Sequence, residues 1–241
     1  MKINSRFTLA ILMSCFFVSE SYGAISLDRT RAIFNGGEKT LTLNIANDNK
    51  VLPYLAQAWL EDNNYQKLST GPLIATPLVQ RVEPDGKSSV RISKTPDINK
   101  LPKDRESVFY FNLREIPPKS KKANVLQIAL QTKIKLFYRP DSIRTKPNQI
   151  WQDKLVLEKK NNKINIKNPT PYYVTVVGMG NTRDKAIKDK FDSVMVAPFS
   201  DTLVKSINSQ SIYLTYINDY GGTPTIKFTC KAGICIVKDD K

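Results

Sequence analysis

Apolar and polar positions alternate along residues 124–140, which read NVLQIALQTKIKLFYRP. The even positions carry Leu126, Ile128, Leu130, Ile134 and Leu136, and the odd positions are mostly glutamine and lysine. This period of two predicts a β-strand that buries one face. A strand from Asn124 to Leu136 would span about 43 Å, far more than a usual strand of about 5–6 residues. We therefore expect part of it to extend beyond its own domain.

The rest of the chain also favours β-structure. Short runs rich in Val, Ile, Thr, Tyr and Phe alternate with Pro, Gly and Asn, and no segment keeps a helical period. We expect an all-β protein with two domains, residues 24–143 and 144–241, joined near the stiff segment YRPDSIRTKPNQ at 138–149. The polar stretch GNTRDKAIKDK at 180–190 has room for one helical turn, but it is short and polar, and a charged surface loop is the interpretation that we favour.

The first 23 residues have the features of a secretory signal peptide. Lys2 and Arg6 precede an apolar run from Phe7 to Val18, and Ser21 and Gly23 suit a cleavage site. The run is shorter than the roughly 20 residues that span a bilayer, so we expect no membrane insertion. The prediction is an exported mature chain that begins at Ala24.

The chain is strongly basic, with a formal charge of +15. Removal of Lys2, Arg6 and Glu20 with the signal peptide takes off one unit and leaves +14. A basic protein often binds nucleic acid, but export makes nucleic acid a poor candidate for the binding partner of this protein. Two interpretations stay open: a surface for acidic polypeptides or anionic envelope components, and a solvated basic surface that aids solubility.

The residue types that the sequence lacks exclude further classes of function. The sequence contains no histidine, which removes the commonest general base and most catalytic zinc sites. We therefore expect no enzyme, no catalytic residue, no metal and no cofactor. Cys15 leaves with the signal peptide, and Cys230 and Cys235 in CKAGIC are interpreted as a disulfide of an oxidising compartment.

Several long motifs resemble those of the PapD-type periplasmic pilus chaperones, in the family's order. These are LDRTRAIF (27–34), LPYLAQAW (52–59), RESVFYFNLREIPP (105–118), the 124–140 stretch, NPTPYYVTV (168–176) and YINDYGG (216–222). The resemblance implies two immunoglobulin-like β-sandwiches in a boomerang arrangement with a cleft between them. It also implies a chaperone that lends a strand to secreted pilus subunits, pilins and tip adhesin, and delivers them to the outer-membrane usher.

The resemblance also assigns roles to individual residues. Asn124, Leu126, Ile128 and Leu130 would form the donor strand, whose side chains fill the groove of a pilin that lacks its last strand. Arg31 and Lys135 would bind the pilin's C-terminal carboxylate, which suits charge-assisted hydrogen bonds. A third group would be a buried charged cluster that orients the two domains, and it consists of Glu106, Arg139 and Asp219.

Some points about the donor strand stay open in the sequence. Its aliphatic side chains could instead face the protein's own core. Strict alternation places Lys135 on the opposite face from Leu130, which either a bulge or a cleft on that side would explain. If the aliphatic side chains are exposed, we expect self-association of the free form or a covering loop at 117–124.

Two other function classes are weighed against the chaperone. An exported adhesive or carbohydrate-binding module is the alternative, because immunoglobulin-like sandwiches host many binding roles. An enzyme would need a site built without histidine, and no paired-carboxylate motif presents itself. The sequence contains no feature that identifies which pilins are bound, or how the usher is recognised.

Overall fold

A computed structural model describes residues 24–122 and 124–238. The predicted signal peptide, with Cys15, lies outside these described residues. Within them, no helix is long and apolar enough to cross a membrane. Strands dominate throughout, and they form two β-sandwich units, as predicted from the composition of the short runs.

The first unit contains nine strands in two sheets. One sheet has the order β1-β3-β7-β5 and the other the order β2-β9-β8-β4-β6. All pairings are antiparallel except that of β2 with β9, which is parallel. The strands are β1 Ile25–Leu27, β2 Arg31–Asn35, β3 Thr40–Asn47, β4 Tyr54–Glu61, β5 Leu73–Thr76, β6 Val79–Val82, β7 Lys87–Lys94, β8 Ser107–Ile116 and β9 Gln131–Arg139.

The core of this unit lies between the two sheets. One sheet contributes Leu43 and Ile92, and the other contributes Phe34, Phe111 and Leu136, all fully buried. Leu43 and Ile92 belong to strands in which apolar and polar positions alternate, so their buried face follows from the pattern, whereas β8 is apolar on both faces. A 3-10 helix at Pro96–Lys100 connects the two sheets between β7 and β8.

Strand β9 begins at Gln131, seven residues later than the sequence pattern predicts. Ile134 and Leu136 are buried in the core, whereas residues 124–130 have no regular secondary structure. The prediction of one continuous strand from Asn124 was therefore wrong for the described chain. The physical reason is that β8, the inner neighbour of β9, ends at Ile116 and is followed by Pro117 and Pro118, so no described strand pairs with residues 124–129.

The second unit is a curved sheet of eight strands in the order β13-β12-β15-β16-β17-β10-β11-β14. Its two edge strands, β13 and β14, contact each other, so the sheet curls around a core that includes Ile164, Leu214 and Phe228. Two 3-10 helices, Asp141–Ile143 and Gln152–Lys154, lie in the connection from the first unit. The strands are β10 Val156–Lys160, β11 Lys163–Asn168, β12 Val174–Gly180, β13 Val194–Val196, β14 Ser200–Lys205, β15 Ser211–Ile217, β16 Thr225–Lys231 and β17 Ile234–Ile236.

A short helix, α1, spans Arg183–Lys188, where the sequence favoured a charged surface loop over one helical turn. The Thr182 side chain caps it by accepting a hydrogen bond from the N–H of Lys185, and Ala186 is buried against β12. The close approach needs glycine, since a Cβ at Gly178 would clash with the carbonyl oxygen of Ala186. The sequence interpretation did not take into account that the Thr182 cap and the burial of Ala186 stabilise a helix here.

The predicted disulfide is present between Cys230 and Cys235. The two cysteines face each other across the hairpin of β16 and β17, and Cys235 is fully buried. Because the loop it closes is short, the expected gain is only about 2 kcal/mol on the chain-entropy model. The bond therefore fixes the end of the second unit rather than the fold as a whole.

Candidate functional site

Arg31 and Lys135 are direct neighbours in the parallel pairing of β2 with β9. The pairing of β9 with β8 keeps one register from Gln131 to Tyr138, so no bulge is needed to bring Lys135 to this position. Side chains of paired residues lie on the same face of a sheet, so the two cationic groups share a face. The open question about Lys135 is thus answered without a bulge, because Lys135 lies on the face of the sheet that carries Arg31.

The guanidinium of Arg31 reaches the second unit. Its Nη1 donates hydrogen bonds to the carbonyl oxygens of Ile217 and Asn218 at 2.7 and 2.8 Å, and its Nη2 donates to Thr175 Oγ1 at 3.4 Å. Burial lowers the pKa of Arg31 from its ordinary value, although the carboxylates of nearby acidic residues oppose this. The residue therefore ties the two units together and also places a positive charge between them.

Lys135 is half-buried beside Arg31, and its ammonium group makes no hydrogen bond or salt bridge with any described residue. Burial lowers the pKa of Lys135, and the charge of Arg31 lowers it further. Two adjacent cations repel each other, and a carboxylate placed between them would relieve that repulsion. The pair therefore has the chemistry of an anion site.

Residues 124–130 present an exposed row of aliphatic side chains. The exposed fractions are 85% for Leu126, 67% for Ile128 and 50% for Leu130. These side chains therefore do not face the protein's own core, which removes one of the two interpretations left open by the sequence. Asn124 is exposed as well, and its positive φ of 56° places it in the left-handed region at the start of the segment.

The preceding loop does not cover this row. Gln127 Nε2 donates a hydrogen bond to the carbonyl oxygen of Pro118 at 2.7 Å, which links the segment to the loop. The side chains of Leu126 and Ile128 nevertheless stay exposed. The expectation of a covering loop was therefore wrong for residues 117–122 and 124, while Ala123 lies outside the described residues.

The predicted charged cluster is assembled around Arg139, which is almost fully buried. Its side chain forms salt bridges with Glu106 at 2.7 Å and with Asp219 at 2.8 Å. Glu106 also accepts a hydrogen bond from the N–H of Tyr173 at 2.8 Å. Burial raises the pKa of Glu106 to about 7 despite the charge of Arg139. Glu106 belongs to the first unit, and Tyr173 and Asp219 to the second, so the cluster joins the two.

An apolar contact between the units lies next to this cluster and was missed by sequence reasoning. Val108, Tyr110 and Phe137 of the first unit pack with Tyr173 and Met195 of the second. Phe137 and Tyr173 have ring centroids 5.5 Å apart. Phe137 and Tyr110 lie on the same side of their strands as Lys135. The sequence signal for this contact was Phe137 itself, an apolar residue on the face of β9 that otherwise carries lysines. Beside this contact, Arg31, Arg139 and the connecting segment line a cleft of about 660 Å³.

Comparison with known proteins was made on both sequence and structure. Residues 24–144 match the family model for the pili and flagellar-assembly chaperone PapD N-terminal domain, and residues 150–228 match that for the pili assembly chaperone PapD C-terminal domain. The chain is 61% identical to the chaperone protein PapD of Escherichia coli over 226 residues, which cover 94% of this chain and 95% of that protein.

Solved structures agree with the family models. The periplasmic chaperone SfaE is 30% identical, with a TM-score of 0.68 over 84% of this chain and 98% of that one. The complex of the Salmonella enterica SafA pilin with the SafB chaperone gives a TM-score of 0.74 at 24% identity, covering 88% of this chain and 99% of that one, and supports the fold. The chain therefore belongs to the PapD family of pilus-assembly chaperones.

Proposed function

We propose that the protein is a periplasmic chaperone that captures secreted pilus subunits by lending them the segment 124–130, and delivers them to the outer-membrane usher. The observation that carries this proposal is the exposed row Leu126, Ile128 and Leu130 directly before β9. A monomeric soluble protein gains nothing from three neighbouring exposed aliphatic side chains, whereas a partner with an open hydrophobic groove would bury them.

The backbone of this region supports strand addition. Strand β2 pairs with β9 only from Lys135 to Arg139, so no strand of the described chain pairs with the outer edge of β9 before Lys135, and we call this edge open. An added strand from a subunit would pair with this edge, and its uncovered core would receive the aliphatic side chains. Such pairing satisfies exposed backbone groups and apolar surface in both partners, which is how a chaperone of this kind prevents aggregation.

Arg31 and Lys135 would anchor the end of the added strand. They lie at the inner end of the open edge, four residues beyond the start of β9. A C-terminal carboxylate bound there would accept charge-assisted hydrogen bonds and would fix the register of the whole added strand. The register matters because a slip of one residue would turn every subunit side chain to the wrong face.

The related proteins also support pilus subunits as the partners. The PapD family is a family of chaperones, and among its structural neighbours the SafB chaperone is bound to a pilin and the CsuC chaperone to a tip adhesion subunit. The adhesive or carbohydrate-binding alternative gains no support from these relatives. Self-association of the free form through the exposed row stays a prediction, to be tested by the concentration dependence of its sedimentation.

The test is co-purification from the periplasm. The chain, carrying an affinity tag, is expressed in E. coli together with a pilus subunit and recovered from the periplasmic fraction. We expect the subunit in equal stoichiometry with the wild-type chain, and loss of the subunit from a Leu126→Glu, Ile128→Glu double variant. Recovery of the wild-type chain without subunit, for every subunit tried, would contradict the proposal.

A further inference from the structure

Glu115 is a buried carboxylate without a cationic partner. Its side chain is only 6% exposed and forms no salt bridge with any residue of 24–122 or 124–238. A buried charge is costly unless hydrogen bonds compensate it. Here both oxygens accept from backbone N–H groups: Oε2 from Ile25 at 3.0 Å, and Oε1 from Leu130 at 3.4 Å.

The contact with Leu130 lies where β8 and β9 separate. The register that pairs Arg114 with Gln131 places Glu115 opposite Leu130. In a regular antiparallel ladder two such residues exchange two backbone hydrogen bonds. The bond from the Glu115 N–H to the Leu130 carbonyl is present at 3.0 Å, but among the described residues the Leu130 N–H bonds to the Glu115 side chain and not to its carbonyl.

The Glu115 side chain thus replaces its own carbonyl as the acceptor at the last rung of the ladder. Beyond this rung, residues 124–129 leave the sheet and expose Leu126 and Ile128. The Leu130 N–H would otherwise be left without an acceptor at a partly buried position, which is unfavourable. The carboxylate therefore holds the root of the exposed segment at a fixed point.

We infer that Glu115 is a positioning residue for subunit capture, which sets where the lent segment leaves the sheet and holds it ready for a partner strand. This inference rests on the proposed function and adds a residue to it. The same carboxylate fixes Ile25 in β1, so the first described strand and the root of the lent segment are held by one side chain. Holding the root reduces the conformational entropy that a subunit must overcome when it orders the segment.

Replacement by glutamine separates the two contacts. Glutamine has one acceptor oxygen and one NH₂ group, so it can accept from only one of the two N–H groups. The contact with Ile25 is the shorter, and we expect the glutamine oxygen to keep it. The NH₂ group would then face the N–H of Leu130, donor against donor, and the root of the segment would lose its acceptor while β1 stayed in place.

The experiment uses the full mature chain with Glu115→Gln, Glu115→Ala and, as a matched control, Glu83→Gln on an exposed side chain of the same unit. Amide hydrogen exchange is measured at Ile25 and Leu130, and affinity is measured for an E. coli pilus subunit captured by the wild type. For Glu115→Gln we expect faster exchange at Leu130, unchanged exchange at Ile25, and capture weaker by about fivefold, the worth of one hydrogen bond. Glu115→Ala should accelerate both amides, and the control should match the wild type.

The outcomes distinguish the inference from the function on which it rests. Wild-type affinity in Glu115→Gln together with faster exchange at Leu130 would overturn the positioning role and leave the chaperone function intact. Weaker capture without faster exchange at Leu130 would also overturn it, because Glu115 would then act by another route. Failure of the wild-type chain to capture any subunit would overturn both.

Discussion

Arg31 and Lys135 face each other across the parallel pair β2 and β9, at the inner end of an open strand edge. Arg31 is held by carbonyl groups of the second unit, whereas Lys135 has no anionic or hydrogen-bonding partner among the described residues. The two cations therefore differ in what they do in the free protein. Arg31 contributes to the joint between the units, and Lys135 is the group with unused bonding capacity.

This difference predicts unequal effects of the two alanine variants. Lys135→Ala removes a cation that is repelled by Arg31, so the free energy of unfolding should stay within about 0.5 kcal/mol of the wild type. Subunit affinity should fall about 10-fold to 100-fold, because a charge-assisted hydrogen bond contributes roughly 1.5–3 kcal/mol. Arg31→Ala should lose affinity as well, and also stability, since two carbonyl groups lose their donor.

Chemical denaturation and a binding titration of each variant provide the check. Lys133→Ala serves as the matched control, because Lys133 lies on the same strand and bonds to Glu61. Full affinity in Lys135→Ala would exclude the carboxylate anchor at this residue.

Leu126→Glu and Ile128→Glu should abolish capture with little effect on the free protein. Both side chains are exposed, so we expect a change in the free energy of unfolding below about 0.5 kcal/mol. Ile134→Ala, in the same alternating pattern but buried, should cost about 2–5 kcal/mol. Thermal and denaturant unfolding compare the three variants. A large loss in either glutamate variant would place these side chains against the protein's own core.

Much of this site could be predicted from sequence because the alternating pattern and the family motifs fall on the same residues. The burial of Ile134 and Leu136 and the cluster around Arg139 follow from them. The point where β9 begins could not be predicted, since the side-chain pattern continues back through Leu126 whereas the neighbouring strand β8 ends at Ile116. The burial of Glu115 and its contact with the Leu130 N–H were also hidden, because a glutamate at the end of a strand ordinarily indicates a solvent-exposed position.

The buried Glu106 predicts a stability that depends on pH. Burial raises its pKa to about 7, against an ordinary value of 4.5, so between these values the folded protein binds a proton that the unfolded chain does not. The contribution is fully present below pH 4.5 and is lost as pH rises through about 7. The loss could reach about 3 kcal/mol, at 1.36 kcal/mol per pKa unit.

Denaturant unfolding of the wild type and Glu106→Gln between pH 4 and 8 isolates this titration, since other groups contribute equally to both proteins. The wild type should lose stability relative to the variant as pH rises. Parallel curves would show that Glu106 keeps an ordinary pKa in the folded state.

Client preference should depend on the aliphatic row rather than on the two cations. A C-terminal carboxylate is the same in every subunit, whereas the side chains of the lent segment meet different grooves. Leu126→Ile or Leu130→Val should change the affinity for each subunit by about 0.5–1.5 kcal/mol and reorder their ranking. The affinities of both variants for several pilus subunits give the ranking. A uniform loss of affinity across all subunits would show that the aliphatic row does not determine client preference.

Amide hydrogen exchange across residues 124–135 tests strand lending itself. In the register of β8 and β9, the N–H groups of Gln131 and Lys133 point to the open edge, and continued alternation gives Gln127 and Ala129 the same direction. Exchange at these four amides should slow strongly when a pilus subunit is bound and should be fast in the free protein. A bound subunit that leaves all four amides exchanging at their free rates would contradict capture by strand addition.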